Sequence, residues 1–326
     1  MSSTIPHPVL PRPGVESPLS KSPVSAPPEE SFTSTFGTLL PPARYLTTNN
    51  GKAAYYSIPP SSFLGPGTKP PERVLFIHGV QTPALGMLPL ARKLHAYISS
   101  AHFVLIDLWG HGLSDTPVAS HEAGLFHGLI DTLLDHLEWP SAHLVGFSFG
   151  ASLTVGYVAS RASRVQSYVL VAPAGLVKSS SFTPAEQEHF QHDCDEDAAR
   201  QWVTAWLEGG ELIVPSDWKE RFGRGEVVAE AVREWQTRNH PGHAASVVAI
   251  VRDGGVIDNH ERFQEAVATG VPSTVVLGEK DDLCTEQELR DFGFDNVFVV
   301  PDAGHGVVRD RVPEVAGFIN EFWRMK

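Results

Sequence analysis

The sequence has little cysteine and a deficit of basic residues. Only two cysteines, Cys194 and Cys284, occur in 326 residues, which excludes a disulfide framework and favours a reducing compartment. Acidic residues outnumber basic ones by 38 to 25, so the formal net charge is −13. Such a chain would repel phosphate backbones and anionic lipid surfaces. We therefore expect no nucleic-acid partner.

Long apolar runs and targeting signals are also lacking. No apolar stretch reaches the roughly 18 to 20 residues that span a bilayer. The first 30 residues are rich in proline and serine, contain no apolar segment of a secretory signal, and carry only Arg12 and Lys21 as basic residues. We expect residues 1–35 to form a disordered tail on a soluble, cytoplasmic protein without a membrane span.

Sequence patterns typical of metal sites are missing as well. No HExxH segment and no cysteine–histidine spacing of the metal-ligand type occurs. We therefore expect neither a metal nor a cofactor, and metal-dependent hydrolysis has no support. A chain of 326 residues with 42% hydrophobic residues is long enough to form one large domain with a sizeable core.

Short apolar runs alternate with helical patterns along the chain. The runs are nearly all apolar, as in strands that helices cover on both faces. This predicts an α/β fold with a mainly parallel, doubly wound sheet. The predicted strands are Ala54–Ile58, Val74–His78, Phe103–Asp107, Ala142–Phe147, Tyr168–Ala172, Thr274–Gly278 and Val297–Val300. The predicted helices are Leu85–Ser99, His121–Leu137, Phe149–Ser160 and Pro313–Trp323.

Residues 181–260 break this alternation. They have helical patterns, no convincing strand and four tryptophans. We interpret them as an inserted helical cap, so that residues 36–180 and 261–326 form the core. Trp202 and Trp206 are four residues apart and would share one helix face. They either pack inside the cap or form an aromatic roof over a site.

The strongest local signal is the GxSxG segment from Gly146 to Gly150. It directly follows an apolar strand and precedes a helical run of small residues, which is the setting of a nucleophile elbow. A serine on such a sharp turn has an unfavourable backbone conformation, and small neighbours relieve the crowding. Its hydroxyl lies at a helix N-terminus, where backbone N–H groups favour a developing oxyanion. We predict Ser148 as the nucleophile.

A serine nucleophile needs a base, and His305 is the candidate among 15 histidines. It lies between two glycines on the loop after Val297–Val300, at the sheet edge where ligands meet. A carboxylate on a neighbouring loop should orient the imidazole. Asp281 and Asp282 both follow Thr274–Gly278, and the pattern alone does not choose between them.

Two backbone amides are predicted to hold the oxyanion. The amide of Phe149, directly after the nucleophile, is the first donor. The second is the amide of Val80, which follows His78 and Gly79 at the end of a predicted strand. We interpret His78 as a structural residue, and the cap and helix histidines as packed or solvated.

These segments together resemble the serine hydrolase branch of the α/β-hydrolase fold superfamily, over about residues 50–326. In that family the nucleophile, acid and histidine follow this chain order, and a cap is inserted after the sixth core strand. The resemblance implies Asp281 rather than Asp282 as the acid. The segments that carry it are His78-Gly79, Asp107 to Asp115, Gly146 to Gly150, Gly278-Glu279-Lys280-Asp281 and Asp302-Ala303-Gly304-His305.

The leading interpretation is transfer of an acyl group from a small-molecule substrate to water. Esters, lactones and thioesters of small apolar compounds all fit an acyl-enzyme on Ser148. One alternative is hydrolysis of a carbon–carbon bond in a diketone-like compound, for which the superfamily uses a similar triad. The other is a non-catalytic member that binds a small apolar ligand beneath the cap. The sequence does not indicate substrate-binding residues or an oligomeric state.

Overall fold

The computed structural model describes residues 8–14, 22–61, 73–191 and 194–324. The strands in these residues are β1 Arg44–Thr48, β2 Gly51–Ile58, β3 Arg73–Ile77, β4 His102–Ile106, β5 Ala142–Phe147, β6 Val165–Val171, β7 Ser273–Gly278 and β8 Val297–Val300. The helices are α1 Glu29–Phe36, α2 Leu88–Tyr97, α3 Ala123–His136, α4 Phe149–Arg161, α5 Pro184–Gln187, α6 Glu196–Glu208, α7 Trp218–Gly223, α8 Ala229–Asn239, α9 His243–Asp253, α10 His260–Ala268, α11 Glu286–Asp291, α12 Val307–Asp310 and α13 Val312–Arg324.

The strands form one sheet in the order β1-β2-β4-β3-β5-β6-β7-β8. β2 pairs antiparallel with both β1 and β4, and all pairs from β4 to β8 are parallel. Alternate residues of each strand enter different apolar cores: Phe76 packs on the face that α2 and α13 cover, and Leu75 on the face of α3, α4 and α10. The predicted α/β fold with a mainly parallel, doubly wound sheet is confirmed.

Each predicted strand coincides with one of β2 to β8, and β5 and β8 have the predicted bounds. The sequence pattern does not predict β1. This strand lies at the sheet edge and buries only Leu46, so it lacks the continuous apolar run of a central strand. The predicted helix at Leu85–Ser99 begins as α2 only at Leu88, after a short 3₁₀ turn.

The predicted disorder of residues 1–35 is wrong for much of that segment. α1 buries Phe32 and Phe36, whose ring centroids lie 5.1 Å and 5.9 Å from that of Trp235. Burial of these two phenylalanines offsets the conformational entropy that is lost when this part of the chain becomes ordered. A proline- and serine-rich composition does not show that such burial occurs.

Other contacts attach the N-terminal region to the body of the protein. Val24 forms a β-bridge with Thr116. Arg12 forms an ion pair with Glu196 of α6, with 2.8 Å between Nη2 and Oε1. The rest of the predicted tail, residues 1–7 and 15–21, lies outside the described residues.

Helices α5 to α9 lie between β6 and α10, and we call this group the cap. α6 packs on α9, with Ala199 and Val203 against Val247 and Val251 in a small core of their own. α10 packs on α4 and therefore belongs with the core. Within the described part of the chain, no helix is both long and apolar enough to cross a bilayer.

Candidate active site

Ser148 lies on the turn between β5 and α4. Its backbone angles of φ 54° and ψ −118° are unusual for a residue with a side chain. The crowding is severe: a Cβ on Gly146 would lie 2.5 Å from the carbonyl oxygen of Gly150, and a Cβ on Gly150 would lie 2.1 Å from that of Ile77. The turn therefore requires both glycines of the GxSxG segment.

His305 reaches Ser148 from the loop between β8 and α12. Its Nε2 lies 2.9 Å from Ser148 Oγ, and its Nδ1 lies 3.0 Å from Asp281 Oδ2. An ionised carboxylate can only accept, so Nδ1–H donates to Asp281 and Nε2 accepts from the serine hydroxyl. The side chain of Asp281 is 1% exposed and that of His305 is 39% exposed. The structure thus brings all three predicted residues into one chain of contacts.

Asp281, and not Asp282, is the carboxylate in contact with His305. Asp281 Oδ1 also accepts the backbone N–H of Leu283 at 3.3 Å, so the chain itself helps to orient the carboxylate. Asp282 is exposed and lies on the wall of a cavity. The sequence alone does not show which of the two adjacent aspartates contacts the histidine, because they differ only in the direction of their side chains.

Val80 and Phe149 lie next to Ser148. Phe149 is the first residue of α4, so its N–H has no acceptor within the helix. A Cβ on Gly79 would lie 2.8 Å from Ser148 Cβ, and Val80, the next residue, lines a cavity together with Ser148 and His305. The two predicted oxyanion donors therefore belong to segments that adjoin the serine.

His78 holds this loop from behind. Its Nδ1–H donates to Gly79 O at 2.6 Å, and its Nε2 accepts the N–H of Leu108 at 2.9 Å. Burial lowers the pKa of His78 to about 4, so the imidazole is neutral at pH 7. Both ring nitrogens serve the backbone, which is the structural role that we expect for this histidine.

A cavity of about 570 Å³ opens beside Ser148 and His305, beneath the cap. Its wall is largely apolar, with Trp206 and Phe182 in contact at a ring-centroid distance of 5.7 Å. Trp202 stacks on Trp206 at 5.9 Å. The other apolar lining residues are Val80, Ala174, Val177, Leu207, Val256 and Leu283. Trp206 thus lines the cavity, whereas Trp202 packs against Trp206 on α6.

Three carboxylates also line this cavity, namely Glu186, Glu208 and Asp282. Lysine and arginine are absent from its lining among the described residues. Neither these carboxylates nor any other group of three or more histidine, cysteine, aspartate or glutamate side chains in the described ranges could hold a metal ion. Ser148 and His305 line the same cavity.

Gln81 contacts both Glu208 and Gln236, and none of the three belongs to a motif of the sequence. Gln81 follows Val80, whereas the other two lie on α6 and α8 of the cap. Local patterns carry no signal for side chains that come from three distant segments. Of this region, the sequence pattern indicates only Val80, the residue after the His-Gly pair.

Residues 74–318 match the sequence profile of the alpha/beta hydrolase family. The chain is 25% identical, over 222 residues, to the dihydrolipoyllysine-residue acetyltransferase component of the acetoin cleaving system of Pseudomonas putida, covering 68% of this chain and 55% of that protein. It is 29% identical, over 119 residues, to the 2-hydroxy-6-oxo-6-phenylhexa-2,4-dienoate hydrolase of Comamonas testosteroni, covering 36% and 41%. The chain thus spans about half the length of these relatives.

A solved structure with similar architecture is the enol-lactonase from Burkholderia xenovorans LB400. It superimposes with a TM-score of 0.62 at 17% sequence identity, covering 86% of this chain and all of the other. At this level of identity the similarity concerns the fold alone.

Proposed function

Because the chain belongs to the α/β hydrolase family, we propose that it is a serine hydrolase. It cleaves an ester, lactone or thioester of a small apolar compound through an acyl-enzyme on Ser148. The observation that carries this proposal is the chain of contacts from Ser148 Oγ to His305 Nε2, at 2.9 Å, and from His305 Nδ1 to Asp281, at 3.0 Å. This arrangement activates a hydroxyl that is otherwise a weak nucleophile.

In the first step Ser148 Oγ attacks the carbonyl carbon while His305 Nε2 takes the hydroxyl proton. Asp281 stabilises the resulting imidazolium through Nδ1–H. The amides of Val80 and Phe149 donate to the oxyanion of the tetrahedral intermediate. When the intermediate collapses, the bond to the leaving group breaks and His305 returns its proton to the leaving oxygen or sulfur.

The second step regenerates the serine. Water attacks the acyl carbon while His305 takes a proton from it, and a second tetrahedral intermediate forms against the same two amides. Collapse of this intermediate breaks the bond to Ser148 Oγ, and His305 gives the proton back to the serine. The products are a carboxylic acid and an alcohol or thiol, or a single hydroxy acid from a lactone.

The cavity supports a neutral, apolar substrate. Its aromatic and aliphatic walls favour apolar groups, whereas Glu186, Glu208 and Asp282 disfavour anions. The alternative is carbon–carbon bond hydrolysis of a diketone-like compound. The Comamonas testosteroni relative, which matches 36% of this chain, is named as a hydrolase of 2-hydroxy-6-oxo-6-phenylhexa-2,4-dienoate. That name describes a dienoate, which is an anion. The lining therefore favours ester hydrolysis.

Hydrolysis of p-nitrophenyl acetate and p-nitrophenyl butyrate tests this proposal, with Ser148→Ala as the matched variant. We expect turnover by the wild-type protein and a loss of about 10⁶-fold in kcat on removal of the hydroxyl. Wild-type protein that binds these esters without cleaving them would contradict the proposal and favour a ligand-binding member of the fold.

We also propose a reducing, cytoplasmic location. Both cysteines are free thiols in the structure. Cys194 Sγ lies 3.0 Å from Arg12 Nη2 and donates to His189 O at 3.3 Å. Burial raises the pKa of the Cys284 thiol, which keeps it protonated and unreactive.

A further inference from the structure

Gln81 holds the end of the loop that carries Val80, and it does so in a strained backbone conformation. Its φ of 67° is rare for a residue with a side chain and persists only where neighbours enforce it. The backbone N–H of Gln81 donates to His111 Nε2 at 3.2 Å, and its carbonyl oxygen accepts from Gln236 Nε2 at 2.5 Å. Its side-chain Nε2 donates to Glu208 Oε1 at 2.9 Å.

Two of these three partners belong to the cap. Gln236 on α8 is fully buried, and its Oε1 accepts the N–H of Gly112 at 2.7 Å. Glu208 is the last residue of α6; its side chain is 5% exposed and pairs with Arg233 of α8 at 2.8 Å. Gln81 therefore contacts both cap helices, α6 through Glu208 and α8 through Gln236.

The contact between Gln81 and Glu208, which we call the tie, lies one residue after Val80. The backbone amide of Val80 is one of the two oxyanion donors that we propose. Val80 and Glu208 also line the same cavity as Ser148. An oxyanion donor contributes only when its N–H is held at hydrogen-bond distance from the position of the developing charge, and small displacements of reacting groups lower rates strongly. The peptide between Val80 and Gln81 directly follows the Gly79–Val80 peptide, which carries the Val80 N–H. The hydrogen bonds of the Gln81 N–H and carbonyl therefore restrain the backbone next to that amide.

Both oxygens of the Glu208 carboxylate have a fixed partner. One of its oxygens accepts from Gln81 Nε2, and the other lies 2.8 Å from the Arg233 guanidinium. A buried carboxylate with these two partners serves as a fixed acceptor.

We propose that Gln81 and Glu208 are positioning residues that hold the Val80 amide in place for the oxyanion. Docking of α6 on the core thus completes the oxyanion hole, and the cap acts on the rate of acyl transfer as well as on access. This inference rests on the proposed serine hydrolase function. It adds to that function a contact between the cap and the loop on which kcat depends.

The test compares three variants. Glu208→Met and Gln81→Met each remove one partner of the tie, the contact between these two side chains, whereas Glu208→Gln keeps an oxygen acceptor for Gln81. For p-nitrophenyl butyrate we expect kcat to fall about tenfold or more in both methionine variants, with KM changed less than about twofold. Glu208→Gln should retain kcat within about threefold of wild type. Glu234→Met is the control, because Glu234 pairs with exposed Arg238 on the same cap.

A second readout separates geometry from stability and from the proposed function. Phenylboronic acid adds to a serine oxygen and forms a tetrahedral anion, so its affinity reports the oxyanion hole without turnover. We expect weaker binding in both methionine variants and unchanged binding in Glu208→Gln and Glu234→Met, at temperatures where thermal melting shows every variant folded.

Three outcomes would overturn the positioning role. The first is kcat and boronate affinity in Glu208→Met and Gln81→Met equal to those of Glu234→Met. The second is a Glu208→Gln variant as slow as Glu208→Met, which would assign the effect to charge. The third is a raised KM with unchanged kcat, which would make Glu208 a cavity wall alone. Wild-type protein that neither turns over the ester nor binds the boronic acid would instead overturn the proposed function itself.

Discussion

Asp281 lies directly behind His305, with Oδ2 3.0 Å from Nδ1 and with a side chain that is 1% exposed. A buried carboxylate in this position fixes the tautomer of the imidazole, so that Nε2 faces Ser148 as an acceptor. Its neighbour Asp282 is exposed on the cavity wall. Two adjacent aspartates therefore have different environments, and their substitutions should have different effects.

We expect Asp281→Asn to lower kcat for p-nitrophenyl butyrate by about 10⁴-fold, because an amide at this position favours the wrong tautomer of His305. Asp282→Asn should lower kcat far less, since that side chain does not contact the imidazole. Steady-state kinetics of the two variants checks this directly. Comparable losses of kcat in both variants would contradict the assignment of Asp281 as the acid.

The crowding at Gly150 predicts a stability effect. A Cβ there would lie 2.1 Å from the carbonyl oxygen of Ile77, so Gly150→Ala should lower the free energy of unfolding by about 3 kcal/mol or more. Gly317→Ala is the control, because Gly317 lies in α13 with no atom within 4 Å of such a Cβ; it should stabilise by up to about 1 kcal/mol. Urea unfolding measures both, and equal values would refute the steric argument.

The packing of α1 on the cap predicts that the N-terminal region contributes to stability. Phe32 is 4% exposed and its ring centroid lies 5.1 Å from that of Trp235, so Phe32→Ala should destabilise the fold by about 3 kcal/mol. Val9→Ala, at a residue that is 61% exposed, should change stability by less than about 0.5 kcal/mol. Chemical denaturation of both variants is the measurement, and a Phe32→Ala protein as stable as Val9→Ala would mean that α1 does not pack there.

Buried histidines predict how stability depends on pH. Burial lowers the pKa of His78 to about 4 and that of His243 to about 3. It also lowers the pKa of His111, whose ring contacts both of theirs. In the unfolded chain these groups take up protons near pH 6.5. The unfolded state then binds more protons than the folded state, so the free energy of unfolding should fall as the pH drops from about 6.5 towards 4.

Asp107 works in the opposite direction. Burial raises its pKa from 3.8 to about 6, so the folded state binds a proton more readily than the unfolded state. Through this group, the free energy of unfolding should rise as the pH drops from about 6 to about 3.8. Burial also raises the pKa of Glu208 and of Asp253, so among the residues that the structure describes eight histidines with lowered pKa values oppose three carboxyl groups with raised ones. The net effect should be destabilisation by acid. Thermal melting at pH 7.5 and pH 5 checks the sign, and a melting temperature that is constant or higher at pH 5 would contradict it.

The carboxylates on the cavity wall predict selectivity against anions. Mono-p-nitrophenyl glutarate carries a negative charge at the end of its acyl chain, whereas p-nitrophenyl butyrate is neutral. With Glu186, Glu208 and Asp282 lining the cavity, we expect kcat/KM for the anionic ester to be at least about tenfold lower at low salt, with a smaller difference at high salt. Equal values for the two esters would show that these carboxylates do not influence the substrate.

Much of the fold could be predicted because the central strands are buried on both faces and leave continuous apolar runs in the sequence. The edge strand at Leu46 and the helix at Phe32 could not, since each depends on tertiary burial of one or two residues. Ser148 carried a local signal, because its turn needs glycines at fixed spacing. The pairing of Gln81 with Glu208 joins residues 127 positions apart, and no local pattern records such a contact.

The central claim is that Ser148 is an activated nucleophile, and labelling with a small fluorophosphonate tests it most directly. The serine oxygen displaces fluoride from phosphorus, and intact-mass spectrometry counts the adducts. We predict one adduct on wild-type protein, assigned to Ser148 by peptide mapping, and none on Ser148→Ala or on wild-type protein treated with the corresponding phosphonate that lacks fluorine. An unlabelled wild-type protein, or a label that persists in Ser148→Ala, would contradict the account.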